Sequence, residues 1–263
     1  GLETWHIYVG DHCREDYGDI RFTNSTGAEL AYYLWPDYTS SSARFAVRLE
    51  GADQAGSLTV WYGNPAATTT SDGNGTYLFF DQFDTFRNDV WDVTDGAPTV
   101  SGSVASLPAV CLIRTKSTVP IINTRVEVRS QFSSAYRFHV GGDGYFFVID
   151  FPPGSTTYPL WRLGTAAIVS KTPYPPVGSW SVFWVNYGPT SAAAGWDSNS
   201  IITCANTPPD SDSISVRHWY QQTHRVDYVL VRAYSATPPA ATAFSVVVLQ
   251  PFPGCSNDPT DPD

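Results

Sequence analysis

Methionine is absent from the whole chain, and of its fifteen basic residues only Lys116 and Lys171 are lysines. Twenty-five acidic residues outweigh those fifteen and leave a formal net charge of −10. A surface of that sign repels a polyphosphate backbone, so nucleic acid is excluded as a partner. Charged residues make up 15% of the 263, against about a quarter in an ordinary globular protein, so Ser, Thr, Asn, Gln, Gly, Pro and Tyr must supply most of the surface. No apolar run approaches the roughly 20 residues of a membrane-spanning helix, and no charged-then-apolar leader is present. With Gly1 at its start, the chain reads as a mature product whose leader has been removed. Convincing helical periodicity is missing as well. The closest candidate, 189–197 (PTSAAAGWD), is flanked by Pro189 and Gly195 and is expected to be a turn.

What the chain does hold is β pattern. Alternation with period two, in segments rich in Val, Ile, Tyr, Phe and Trp, recurs at 4–9, 44–49, 57–62, 124–129, 145–149, 180–187, 213–219, 226–234 and 243–249. Gly and Pro clusters punctuate these runs at the spacing of an antiparallel sandwich. Four cysteines, Cys13, Cys111, Cys204 and Cys255, never form Cys-x-x-Cys, which argues against a zinc ribbon or a redox motif. Two disulfides are expected; three pairings are possible, of which Cys111–Cys204 and Cys13–Cys255 are favoured. Asn24 (Asn-Ser-Thr) and Asn74 (Asn-Gly-Thr) are glycosylation sequons in turn-like surroundings. Disulfides and sequons together point to an extracellular or cell-surface location.

Two stretches carry a family resemblance. Asp19-Ile20-Arg21-Phe22, a polar turn from Thr23 to Gly27, and Leu30-Ala31-Tyr32-Tyr33 form the first. Val60-Trp61-Tyr62-Gly63-Asn64-Pro65, a turn from Ser71 to Gly75, and Phe79-Phe80-Asp81-Gln82-Phe83-Asp84 form the second. Together they resemble a prokaryotic surface-protein domain of unknown function that is usually fused to a concanavalin A-like jelly roll. The second half is similar to that lectin/glucanase jelly roll: Trp91, Ile113 to Ser117, Val177-Gly178-Ser179-Trp180 and Val226 to Arg232 stand in the order of its strands. The resemblance implies an all-β chain with a small antiparallel β domain over 1–80 and a concanavalin A-like jelly-roll sandwich over 81–240; beyond the family's closing strand, 241–263 reads as a C-terminal strand and extended tail. The family's additional Trp-bearing first strand has no counterpart ahead of residues 4–9.

Jelly-roll glucanases of the laminarinase type work with a pair of carboxylates about 5 Å apart, carried on Glu-x-Asp-x-x-Glu. Of the five glutamates only Glu127 falls in the second half, in Arg125-Val126-Glu127-Val128-Arg129, where it reads as an ion-paired residue. No Gly-x-Ser-x-Gly, Walker or His-Glu-x-x-His motif is present. The chain is therefore expected not to be an enzyme. His218 and His224, six residues apart, read as histidines flanking a hairpin, with metal binding the lesser alternative. The resemblance implies a calcium site tying the first jelly-roll strand to the last, with Asp81 or Asp84 and Asp227 as its acids.

Nine Trp, fifteen Tyr and fourteen Phe suggest sugar stacking, with Trp161, Trp196, Trp219 and Tyr220 as loop-adjacent candidates. A missing first strand and a surplus last one suggest strand donation: residues 243–250, with Phe244, Val246 and Val248 as the inserting side chains, fold back in cis or pair with a neighbouring copy to make a head-to-tail filament. The sequence-based expectation is a structural or adhesive surface component, a filament subunit in its strongest form, whose partners are copies of itself. Its alternative is a lectin-like module whose partners are glycans.

Overall fold

The computed structural model describes residues 12–51, 57–132, 136–142, 146–151, 160–163, 169–170, 175–205, 208–219, 223–234 and 250–251. The chain divides into two compact units, Gly1–Thr76 with Pro238–Asp263, and Tyr77–Thr237. The fold is all-β: a small antiparallel β unit and a concanavalin A-like jelly-roll sandwich.

The first unit contains strands β1 (Arg21–Thr23), β2 (Tyr32–Leu34), β3 (Phe45–Val47) and β4 (Thr59–Tyr62), and one helical turn, α1 (Gly73–Thr76). β1 pairs antiparallel with β4, and β2 with β3. Tyr17, Ile20, Phe22, Leu30, Tyr32 and Val60 close a small core, in which Phe22, Tyr32 and Phe45 meet edge to face with centroids 5.4–5.9 Å apart. Such pairs add about 1 kcal/mol beyond the area they bury. Asp19 ties the unit together: its buried carboxylate accepts from the Arg14 and Gly63 amides at 3.0 and 2.7 Å.

The second unit is a sandwich. Its strands are β5 (Phe79–Asp81), β6 (Trp91–Asp95), β7 (Thr99–Val100), β8 (Ala105–Leu107), β9 (Cys111–Thr115), β10 (Val119–Pro120), β11 (Thr124–Phe132), β12 (Tyr136–Gly142), β13 (Phe146–Phe151), β14 (Leu160–Leu163), β15 (Val169–Ser170), β16 (Trp180–Tyr187), β17 (Ala192–Trp196), β18 (Asn199–Cys204), β19 (Ser211–Asp212), β20 (Ile214–Trp219) and β21 (His224–Ala233). One sheet runs β18-β17-β16-β11-β21-β8-β7, with β5 also on β21; the other runs β15-β14-β13-β12-β20-β9-β6. Each strand turns alternate residues inward, so Val126, Val128, Phe132, Phe183 and Val185 of the first sheet meet Ile113, Phe138, Val140, Phe147 and Val216 of the second. Every one of these ten is at most 2% exposed, and burying each contributes about 2 kcal/mol. A final pair of residues, β22 (Gln250–Pro251), returns to the first unit and pairs parallel with Trp61–Tyr62 of β4.

Two expectations change here. Residues 192–196 form a strand instead of a turn. Ala192 and Ala194 face the core, and their small size lets β17 lie between β16 and β18 without any bulky strand-forming residue. The Cys111–Cys204 bridge is not formed: Cys111 is a free, buried thiol in β9, and Cys204 lies in β18, the far edge strand of the opposite sheet. β18 packs near β14, four strands along from β9. At roughly 4.8 Å per strand that is about 19 Å, far beyond disulfide reach. Burial, and then nearby Asp95, push the Cys111 thiol up to about 11. Cys13 is half-buried in the first unit, while Cys255 lies outside the described residues. Phe244, Val246 and Val248 lie outside them too, and the described end of that segment, β22, is paired within its own chain.

Candidate functional site

The site is built on the face of the β15–β6 sheet that points away from the core. Phe138 and Val140 of β12, Phe147 of β13, and Ile214 and Val216 of β20 all point inward. Their alternates therefore share the outward face: His139 and Gly141, Phe146 and Val148, Ser215 and Arg217, and at the strand end Trp219. Register makes them neighbours, because His139 stands opposite Arg217 on one side and Val148 on the other, and Gly141 opposite Ser215 and Phe146.

His139 is the centre of this face. Its ring stacks on Phe146, centroids 3.9 Å apart at 26°, and lies 6.1 Å from the Trp219 ring. Nε2 shares a hydrogen bond of 2.9 Å with Ser215 Oγ, which also lies 3.4 Å from the Gly141 carbonyl. Burial, reinforced by the neighbouring Arg217 charge, lowers the His139 pKa to about 3. The ring is thus neutral at any physiological pH, and its role is to fix the aromatic cluster. Arg217 lays its guanidinium carbon 4.5 Å from the Trp219 ring centre and reaches toward Asp95 at 3.7 Å. Phe146, Trp219, Arg217, Leu112 and Arg114 are each half-exposed on this surface. Flat aromatic edges beside a guanidinium and a carboxylate provide apolar contact together with donors and acceptors for hydroxyl groups, the combination expected of a ligand surface.

The aspartates expected to hold calcium do not converge. Asp81 is buried in β5, and its carboxylate accepts from the Phe83 amide at 2.9 Å, Trp91 Nε1 at 2.6 Å and Arg87 Nε at 3.2 Å. Asp84 is exposed and accepts from Gln82 and Ser103, each at 2.6 Å. Asp227 pairs with Arg129. Among the described residues no group of three or more His, Cys, Asp or Glu side chains gathers in a way that fits a metal ion. The donor set around Asp81 marks it as the anchor of the turn after β5. Asp81→Asn would remove the charge and turn an amide N–H₂ toward either the Phe83 amide or the Arg87 and Trp91 donors, so it should cost about 2 kcal/mol in urea unfolding; a change below about 0.5 kcal/mol would show that this carboxylate is dispensable.

The other sequence-selected residues are dispersed. Trp196 ends β17 beside the turn at 197–198, but its ring is 8% exposed and alternates with Ala194 on the inner side, so it is packed in the core instead of offered to a sugar. Trp161 occupies β14, opposite Ile149 and Val169, and Tyr220 lies outside the described residues. Asn24 is half-buried, and its Oδ1 accepts from the Thr26 amide and hydroxyl and the Ala28 amide; Asn74 is exposed on α1. Glu127 bridges Arg125 and Arg232, 2.8 Å from each. His218 and His224 do not flank a hairpin, because β20 and β21 belong to opposite sheets; both rings point between the sheets, 1% and 0% exposed. His224 stacks on Phe132 with centroids 4.5 Å apart and has no hydrogen bond at either ring nitrogen.

His139, Phe146 and Arg217 escaped sequence reasoning. The signal was present in YRFHVGG, residues 136–142, where inward Phe138 and Val140 leave His139 as their outward alternate.

Residues 16–94 match the family model described as "Domain of unknown function (DUF2341)", across both quoted motifs. No curated protein matches the chain. Among solved structures, one from work titled "Prominent members of the human gut microbiota express endo-acting O-glycanases to initiate mucin breakdown" is 13% identical, with TM-score 0.50, over 61% of this chain and 100% of that one. The endo-β-1,3-glucanase from Pyrococcus furiosus is 10% identical over 62% and 95%, with TM-score 0.49. The Mycobacterium tuberculosis protein described as "an immunostimulatory antigen and pseudo beta-1, 3-glucanase" is 15% identical over 60% and 99%, with TM-score 0.47. These likenesses bear on the fold, and they correct one expectation. The structure with TM-score 0.50 comes from work on endo-acting O-glycanases, so excluding enzymatic activity because Glu-x-Asp-x-x-Glu is missing does not stand.

Proposed function

We propose that the chain is a glycan-binding protein whose sugar lies across the outward face of the β15–β6 sheet. The observation that supports it is the aromatic cluster of His139, Phe146 and Trp219 on a sheet face, with Arg217 and Asp95 beside it. Trp219 offers a ring face or edge to the sugar's C–H groups, while Arg217 and Asp95 bond its hydroxyls. His139, neutral and locked to Ser215, holds Phe146 in place beneath the ligand.

A glycan array followed by calorimetry on the best-bound sugar tests this. Trp219→Ala should weaken binding at least tenfold while leaving the unfolding midpoint within a few degrees, since the ring is half-exposed. Undiminished affinity in that variant would move the site elsewhere. Hydrolysis of the bound glycan is the second reading, favoured by the likeness to an O-glycanase structure. New reducing ends appearing during the same incubation would establish it.

A further inference from the structure

The opposite sheet carries a surface whose charge contrasts with that of the rest of the chain. Along β11, Val126, Val128 and Phe132 point into the core, so Arg125, Glu127, Arg129 and Gln131 point outward. Register places Trp180 of β16 and Arg225 of β21 on either side of Gln131. A bulge in the β11–β21 ladder at Arg129/Ser130 lets Asp227 reach the Arg129 guanidinium. Bulges commonly re-aim side chains in this way. The Arg129 and Arg225 guanidinium carbons lie 5.0 and 5.3 Å from the centre of the Trp180 ring. Arg225 is exposed, the Arg129 side chain is 39% exposed and Trp180 is half-buried. Glu127 is already neutralised between Arg125 and Arg232.

Four arginines against two carboxylates make this face net positive on a chain of net charge −10. Neither exposed guanidinium is saturated by its partner: Arg129 bonds Asp227 through one nitrogen, and Arg225 bonds Gln131 Oε1 through one, at 2.9 Å. Each retains donors for a further oxygen anion, and a planar guanidinium suits a carboxylate or sulfate geometrically.

We propose that this face, centred on Trp180, Arg129 and Arg225, is a second binding surface, for an acidic polysaccharide. Its anionic group, a uronate carboxylate or a sulfate ester, bridges the two guanidiniums, while the sugar ring lies against the exposed part of Trp180. Charge complementarity selects the ligand, because an acidic chain repels polyanions everywhere except where its arginines gather. The surface is independent of the Trp219 face, on the other sheet.

The test is calorimetric titration of the full chain with polygalacturonate and with a sulfated galactan, at 50 and 300 mM NaCl. At least one polymer should bind, several-fold more weakly at the higher salt. Arg225→Gln, an exposed substitution that leaves the fold intact, should weaken that binding about tenfold, and Trp219→Ala should leave it unchanged. Absence of binding to both polymers, equal binding by Arg225→Gln, or loss in Trp219→Ala would each overturn the proposal. Poly-glutamate bound as tightly, with the same dependence on Arg225, would overturn its sugar component and assign the face to acidic polypeptide. The Trp219 face is judged separately by its own ligand in Arg225→Gln, where neutral-glycan affinity should be unchanged.

Discussion

Lowering the pH from 6.5 to 4.5 should remove roughly 2 kcal/mol of stability through His139 alone, with His224 acting in the same direction. His139 and His224 are held neutral in the folded state, the first at a pKa of about 3 and the second well below its ordinary value, both chiefly by burial. In the unfolded chain each titrates near 6.5. Below that value the unfolded state binds protons that the folded state refuses. The stability is therefore complete above about pH 6.5 and lost as pH falls, at about 1.4 kcal/mol per unit per histidine, until the folded pKa is reached. His218 adds to the slope: burial lowers its pKa too, although a hydrogen bond to the Pro108 carbonyl partly offsets this. A loss of that size is a large fraction of the stability of many domains. Urea midpoints measured across pH 7.5 to 4.5 check it. His224→Leu, which replaces a ring with no partner at either nitrogen, should reduce the slope by one histidine's share and raise stability at pH 5. A flat profile between pH 7 and 5 would contradict the burial of these rings.

Gly195→Ala should destabilise the sandwich by about 3 kcal/mol. A Cβ at this position would collide with the Asn199 carbonyl oxygen and come within 2.7 Å of Trp184 Cζ2. The first contact is with backbone, so no rotamer change relieves it. The glycine sits at an irregularity in the β17–β18 ladder, between Ala194 and Gly195, where the strands approach closely. Trp184 in turn packs against the Arg125 guanidinium and donates Nε1–H to the Asp197 carbonyl at 3.0 Å, so it is not free to withdraw. Chemical denaturation of the variant gives the answer; a midpoint equal to that of the parent chain would show that β17 and β18 are more widely spaced.

The sandwich was legible where burial is one-sided. β11 alternates buried and half-exposed residues over its whole length, and 124–129 announced it. The run at 180–187 was identified to its ends because Trp, Val, Phe and Tyr in alternation have no helical reading. β17 was hidden because three alanines and a glycine carry no strand preference, and only the space between β16 and β18 determines their conformation. The site was harder to read for a related reason. An outward aromatic is conspicuous only once inward and outward are known, so Trp196 and Trp219 looked alike in sequence although one is core and the other surface. Asp81 was ambiguous in the opposite way. A carboxylate in the first jelly-roll strand fits a cation as well as it fits a turn, and the Trp91, Arg87 and Phe83 donors around it come from residues downstream of it.

Hydrogen exchange of the full chain, with and without the glycan that binds best on the array, locates the ligand most directly. Slowed exchange confined to residues 136–148 and 214–219 is the expected result, because β12, β13 and β20 carry His139, Phe146, Arg217 and Trp219. Protection elsewhere, with those strands unchanged, would contradict a sugar-binding role for this face.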